Sequence, residues 1–114
     1  STHCASYALA AMGGVNYATA AAYSDSTYGA GGVPADSMAS FFYNFYPNGS
    51  SVNPDSLSGG FMGSNMIYFQ TSDSTGHAVN GIQKWGNAIM YYDHQNNRQG
   101  IITNDSLRTI YHPW

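Results

Sequence analysis

The sequence predicts an α+β fold, in which helices come first and an antiparallel sheet follows. Alanine-rich and aromatic segments with helical periodicity occupy the chain up to Tyr46. From Met66 onward, short β-branched and aromatic runs are separated by turn residues. Helices grouped before strands, rather than alternating with them, are typical of α+β domains. Because 114 residues suffice for one modest core, we expect a single domain over residues 1–114.

Three helices are predicted in the first half of the chain. The first covers residues 4–12, with polar capping residues before it and a glycine pair after it. The second is rich in alanine and covers residues 16–23, followed by a polar loop over residues 24–32. The third begins at Pro34, since proline is favoured in a first helical turn, and carries an apolar stripe formed by Met38, Phe41, Phe42 and Phe45.

The second half of the chain predicts an antiparallel sheet. Residues 50–64 contain glycine, serine and proline without a sustained period, so we expect a loop there with at most one helical turn. Strands are predicted over residues 66–70, 77–83, 88–93 and 100–103. The polar residues 104–106 then indicate a cap for a short final helix, or the start of an extended tail.

A hairpin is predicted between the second and third of these strands, with residues 84–87 as its turn. In an antiparallel hairpin the start of one strand faces the end of the other. His77 then falls opposite His94, beside Asp93. A shift of one residue would change which side chain faces His77, so the register decides its neighbour.

The low charge of the chain excludes several classes of function. Three strong bases are present, the six acids are all aspartate, and no basic run occurs. The sequence therefore lacks the electrostatic footprint of a nucleic-acid-binding protein and a polybasic patch for membranes. No stretch is long and apolar enough for a transmembrane helix. The single cysteine excludes an internal disulfide framework.

That single cysteine, Cys4, is the candidate nucleophile. It lies in the first turn of the first predicted helix, and a thiol at a helix N-terminus is favoured as the thiolate. The alternative is that Cys4 is a small buried apolar residue, which is common for free cysteine. A nucleophilic thiol needs a base nearby, and a base needs a group that orients it.

His77, at the start of a strand, is the candidate base, and Asp93 is its candidate orienting carboxylate. Asp93 and Gln95 share one face of the strand end, whereas His94 takes the other face. Gln95 is a further candidate, as an alternative orienting group or an oxyanion donor. The rival base, His3, is adjacent to Cys4 along a helix, and such neighbours point to different faces.

A zinc site is the alternative use of these polar residues. Cys4, His77, Asp93 and His94 are all possible ligands of zinc. The sequence contains neither a Cys-x-x-Cys nor a His-x-x-x-His spacing that would support it. We therefore expect neither a metal nor another cofactor.

Three segments resemble the papain-like cysteine hydrolase superfamily. They are the helix start Cys4–Leu9, the strand start Gly76–Asn80 and the strand end Tyr91–Gln95. The last resembles the Y-x-D-x-Q strand end of papain-fold domains found at the C-termini of bacterial polymorphic toxins. Related peptidases and glutamine deamidases carry the same strand end.

The resemblance implies a papain-like fold with a catalytic triad. In it, Cys4 is the nucleophile, His77 the base and acid, and Asp93 the orienting residue, while Gln95 matches the glutamine of the motif. Papain also carries a glutamine several residues before its cysteine. The residues that precede Cys4, Ser-Thr-His, include no counterpart.

These observations predict a cysteine-dependent amide hydrolase, either a peptidase or a glutamine deamidase. We expect it to be an effector or toxin domain that is secreted or delivered into a target cell, acts on a protein or peptide, and has an immunity protein as partner. The abrupt start before Cys4 suggests the C-terminal domain of a longer protein, or a processed fragment. The alternatives are a peptidoglycan amidase of the NlpC or CHAP type and a non-catalytic binding module with a tyrosine-rich surface.

Overall fold

The computed structural model describes residues 3–54, 63–70, 76–103 and 107–114. Its helices are α1 (Cys4–Ala11), α2 (Tyr17–Tyr28) and α3 (Met38–Phe45), the last preceded by a short 3-10 turn, Ala35–Ser37. Its strands are β1 (Ser50–Val52), β2 (Met66–Gln70), β3 (Gly76–Trp85), β4 (Ala88–Asp93), β5 (Arg98–Ile102) and β6 (Leu107–His112). This is an α+β architecture with helices before an antiparallel sheet, as the sequence predicted.

The second helix is longer than predicted, and the loop assigned to residues 24–32 is wrong over its first part. Asn16 caps the helix, since its side-chain oxygen accepts from the Thr19 backbone N–H at 2.8 Å. The serines after Tyr23 do not end the helix, because the Ser24 side chain is buried in it. The helix stops at Gly29, whose φ of 84° favours glycine.

The six strands form one sheet in the order β1-β6-β2-β3-β4-β5, and every neighbouring pair is antiparallel. β6 therefore lies between β1 and β2, although it comes last in the chain. One expectation is corrected here: residues 50–52, predicted as loop, form an edge strand that pairs with β6. Of the two alternatives for the final segment, a helix or an extended tail, the structure has the extended one, as a strand. Residues 55–62 and 104–106 lie outside the described residues.

The hairpin formed by β3 and β4 has a shorter turn than predicted. Trp85 pairs with Ala88, so Gly86 and Asn87 alone form the turn, and Gly86 has a φ of 55°. A β-bulge between Gly81 and Gln83 shifts the register again. The buried Asn65 side chain bonds both the N–H and the carbonyl oxygen of Gly81, at 2.7 and 3.0 Å.

These two changes displace the register that was expected for His77. The pairs next to the turn, such as Lys84 with Ile89, lie two positions away from the predicted alignment. The ladder reaches Asn80 opposite Tyr92, one position away from it. The predicted pairing of His77 with His94 is therefore wrong.

The core is divided between the two faces of the sheet. One face packs against the helices and buries Ala5, Ala8, Leu9, Met38, Phe41, Phe42, Met66 and Ala78. The other face carries a second apolar cluster made of Ile67, Phe69, Val79, Ile89, Ile102 and Ile110. The predicted stripe of α3 is largely buried, with Phe45 partly exposed. Among the described residues, no helix combines the length and apolar character that a membrane crossing requires.

The small residues of α1 allow it to approach the sheet closely, as their pattern predicted. Ala5 and Ala8 are buried on the face of α1 that packs on β3 and β2. The Asn80 side chain on β3 donates to the carbonyl oxygen of Ala8 at 2.9 Å. This contact fixes the helix along the strand that carries His77.

A substitution at Gly49 tests the packing between α3 and β6. A Cβ atom there would lie 2.7 Å from the carbonyl oxygen of His112 and 2.9 Å from the Phe42 ring. We expect Gly49→Ala to lower the free energy of unfolding by about 1–3 kcal/mol, as overpacking of a core usually does. The measurement is urea denaturation. Gly31→Ala is the matched control because its Cβ would meet open space, and equal stability of the two variants would contradict the prediction.

Candidate active site

Cys4 is placed by the start of α1. It is the first residue of the helix, and the carbonyl oxygen of His3 before it accepts the Tyr7 N–H at 3.0 Å. The first N–H groups of a helix have no partner within the helix, and that of Cys4 is one of them. The Cys4 side chain is a free thiol, half-buried against the helix-side core. A reactant at the helix end can therefore meet both the thiol and the N–H group.

His3 is held by two side chains of α2. Its Nε2 atom lies 2.8 Å from Oδ1 of Asp25, and its Nδ1 atom lies 3.0 Å from the Tyr17 hydroxyl. Both ring nitrogens therefore have partners on α2. The rejection of His3 as the base agrees with this geometry, and the residue anchors the start of α1 instead.

His77 stands between Cys4 and Asp93. Its Nε2 atom lies 2.8 Å from Oδ2 of Asp93. The Cys4 side chain also lies close enough to His77 to raise the pKa of the imidazole. The edge of the ring also packs against Phe69 on the neighbouring strand, with centroids 6.0 Å apart. The imidazole is thus fixed in orientation by a carboxylate and by a ring contact.

The surroundings of His77 favour its protonated form. Its hydrogen bond with Cys4 is the largest cause that raises the pKa of His77 above the ordinary 6.5. Burial lowers this pKa, whereas the hydrogen bond and charge of Asp93 raise it further. The net shift is upward, which is the direction that supports an imidazolium beside a thiolate.

Asp93 is buried, with 2% of its surface exposed, and its charge is satisfied by hydrogen bonds. Oδ1 accepts the backbone N–H groups of Gln95 and Asn96 at 3.0 and 3.2 Å, and Oδ2 accepts Nδ2 of Asn96 at 2.8 Å besides His77. Burial raises the pKa of Asp93, but the bonds from Asn96 and His77 outweigh it and hold the pKa below its ordinary value. Asp93 therefore caps the turn and orients His77 at once.

Asn96 is a contributor that the sequence analysis missed. Besides orienting His77, Asp93 caps the turn that follows β4. An aspartate that ends a strand and is followed by polar turn residues is the signal for such a cap. The amide of Asn96 completes it.

Gln95 contributes through its backbone and not through any described side-chain contact with Cys4 or His77. Its N–H donates to Asp93, as above. Its side-chain Nε2 atom is buried and has no hydrogen-bond partner within the described part of the chain. The structure therefore brings together Cys4, His77 and Asp93 and places Gln95 in the turn beside them.

His94 lies on the other face of the strand end. Its Nδ1 atom is 2.9 Å from Oδ1 of Asn80, and its ring packs against Tyr92. Asn80 uses its Nδ2 group for the carbonyl oxygens of Ala8 and Asn65, so its oxygen must accept from His94. Across residues 3–54, 63–70, 76–103 and 107–114, no three His, Cys, Asp or Glu side chains are grouped to hold a metal ion.

Tyr68 is a second residue that the sequence analysis missed. It lies on β2, where Gln70 pairs with Gly76, and its hydroxyl covers the position that a Cβ atom of Gly76 would fill. Like Cys4, it packs against the helix-side core. The signal was the glycine beside His77, which leaves room for a large side chain from the adjacent strand.

Comparison of the chain with protein-family models, with curated proteins and with solved structures found no match. The chemistry of the site is therefore argued from its own geometry.

Titration of His77 by NMR tests the arrangement of the three side chains. We expect the pKa of His77 to lie above 6.5 in the wild type and to fall in both Cys4→Ala and Asp93→Asn, because each change removes a partner of the imidazolium. Tyr91→Phe, a change on the same sheet that leaves both partners in place, is the control. A pKa that is the same in all four proteins would contradict the arrangement.

The raised pKa of His77 and the lowered pKa of Asp93 give the free energy of unfolding opposite dependences on pH. Because the folded-state pKa of His77 is raised, its contribution to stability is full below the unfolded-state value and is lost as the pH rises through the folded value. The pKa of Asp93 is lowered, so its contribution is present above its unfolded-state value and is lost as the pH falls through the folded value. Urea denaturation across the pH range should show both losses in the wild type and should lack the acid-side loss in Asp93→Asn.

Proposed function

We propose that this chain is a papain-like, cysteine-dependent amide hydrolase with Cys4 as nucleophile, His77 as acid and base, and Asp93 as orienting carboxylate. The observation that carries the proposal is the position of His77, which bonds Asp93 through one ring nitrogen and interacts with Cys4 on its other side. A nucleophile, a base and a group that orients the base are the parts that covalent acyl transfer requires. The helix-first order of the α+β fold is consistent with a papain-like domain.

In the acylation step, the Cys4 thiolate attacks the amide carbonyl carbon, and the carbonyl π electrons move onto oxygen. The tetrahedral intermediate then collapses, and the imidazolium of His77 gives its proton to the leaving nitrogen. The carbon–nitrogen bond breaks, the amine or ammonia leaves, and a thioester on Cys4 remains. The raised pKa of His77 suits this step, because the proton must be on the ring before the leaving group departs.

In the deacylation step, His77 takes a proton from water while the water oxygen attacks the thioester carbon. Collapse of this second intermediate breaks the carbon–sulfur bond and releases a carboxylic acid. The thiolate of Cys4 and the imidazolium of His77 are then restored. Asp93 keeps its negative charge throughout, holds the ring in place and stabilises the imidazolium.

The substrate in this proposal is a peptide bond or the side-chain amide of glutamine in a protein. The two reactions use the same machinery and differ in whether the leaving group is an amine or ammonia. The resemblance of Tyr91–Gln95 to the strand end of papain-fold toxin domains supports a bacterial effector or toxin as the biological role. Such an activity requires an immunity protein in the producing cell.

Paired substitutions of two histidines test this proposal in bacteria. The wild type, Cys4→Ala, His77→Gln and His94→Gln are expressed at matched soluble levels, once in the cytoplasm and once exported to the periplasm, and viable cells are counted. We expect the wild type to kill from the cytoplasm and Cys4→Ala and His77→Gln to be harmless, since loss of a triad member lowers kcat by about 10⁴-fold or more. His94→Gln should still kill, because the described contacts of His94 are with Asn80 and Tyr92 and not with the three proposed site residues.

Other outcomes of this experiment separate the alternatives. Killing only from the periplasm would indicate the peptidoglycan amidase instead of an enzyme that acts on proteins. Killing by Cys4→Ala at the level of the wild type would reject a thiol mechanism and favour a binding module.

A further inference from the structure

The site described so far contains one backbone donor for the oxygen of a tetrahedral intermediate, the N–H group of Cys4. Acyl transfer develops a full negative charge on that oxygen, and a fixed hydrogen-bond donor aimed at it is among the largest contributions to such catalysis. A second donor beside the thiol is therefore the feature to look for in this structure.

Tyr68 is placed to supply it. α1 packs on both β3 and β2, and the side chains of Cys4 and Tyr68 border the same buried cluster. The Tyr68 hydroxyl lies directly over Gly76, the residue before His77, at the strand end where the thiol meets the imidazole. Any side chain at position 76 would displace the phenol, so the glycine and the tyrosine fit each other across the two strands.

The surroundings of Tyr68 keep the proton on its phenol. Burial raises the pKa of Tyr68, the interaction with Cys4 raises it further, and the interaction with the Gln70 side chain lowers it. The net shift is upward, so Tyr68 stays a protonated phenol that can donate a hydrogen bond.

We propose that Tyr68 is the side-chain oxyanion donor of this enzyme, acting together with the backbone N–H of Cys4 on the carbonyl oxygen of the bound acyl group. The assignment rests on the proposed function, because it presupposes acylation of Cys4. Tyr68 donates a hydrogen bond and keeps its proton throughout, so it changes neither the proton balance nor the leaving group of the reaction.

Two reagents that both modify Cys4 distinguish a residue that stabilises the oxyanion from a residue that positions or ionises the thiol. p-Nitrophenyl acetate acylates a thiolate through a tetrahedral intermediate with an oxyanion, and its burst of p-nitrophenolate reports that step. Iodoacetamide alkylates the same thiolate by displacement of iodide and forms no oxyanion. A residue that stabilises the oxyanion affects the first reaction, whereas a residue that positions or ionises the thiol affects both.

We expect Tyr68→Phe to slow the p-nitrophenolate burst by about 100-fold, the size of effect that follows loss of one oxyanion donor. The rate of alkylation by iodoacetamide should stay near that of the wild type. Tyr43→Phe is the matched control, because the Tyr43 phenol borders the same helix-side cluster from α3 but packs against Phe42 and Tyr111. It should leave both rates unchanged, and urea denaturation checks that all variants are folded.

Three outcomes would overturn the assignment. A burst that Tyr68→Phe leaves undiminished shows that another group binds the oxyanion. An equal fall of the burst and of the alkylation rate shows that Tyr68 acts on the thiol instead. A wild-type protein that gives no burst above Cys4→Ala overturns the proposed function and, with it, the role of Tyr68.

Discussion

The hydrogen bond between His77 and Asp93 joins the start of β3 to the end of β4, and the candidate site depends on it. A buried carboxylate is tolerated only when donors satisfy its oxygens, and Asp93 has donors from Gln95, Asn96 and His77. Two of these residues form the turn after β4. The geometry of the turn and the orientation of the imidazole are therefore determined by the same carboxylate.

Cys4 reaches this pair because α1 lies close to the sheet. Ala5 and Ala8 bring the helix backbone near β3, and Asn80 bonds the carbonyl oxygen of Ala8. On the opposite side of α1, His3 ties the first turn to Asp25 of α2. The thiol is therefore held between two fixed contacts, and the position of a reacting atom above it is determined by packing rather than by a mobile loop.

The sequence allowed the prediction of the helices and of the central strands, because their periodicities reflect one buried face each. It did not allow us to predict which distant segments pair in the sheet. β1 is short and joins the sheet only through β6, so neither segment carries a strong local signal. The hairpin register failed because the turn is two residues shorter than predicted, and because a bulge near Gly81, bonded to the distant Asn65, shifts the register again.

The same distinction applies to the site. The face alternation at the end of β4 led to the choice of Asp93 over His94, and the two side chains do lie on different faces. Asp93 could therefore be predicted from the local sequence pattern, even though the predicted register was wrong. Tyr68 and Asn96 could not be predicted in this way. The position of Tyr68 over Gly76 follows from strand pairing, and the role of Asn96 follows from the closed turn.

The place of β6 in the sheet has a consequence for how the protein folds. Its partners β1 and β2 both come earlier in the chain, so the sheet cannot close until residues 107–112 have been synthesised. Contacts between segments so far apart raise the contact order and slow folding. Until β6 arrives, β2 presents an unpaired edge to other chains. A ribosome-bound nascent chain would therefore hold the thiol helix and the β2–β5 meander in an incomplete sheet, and the finished domain would form only once β6 has left the ribosome.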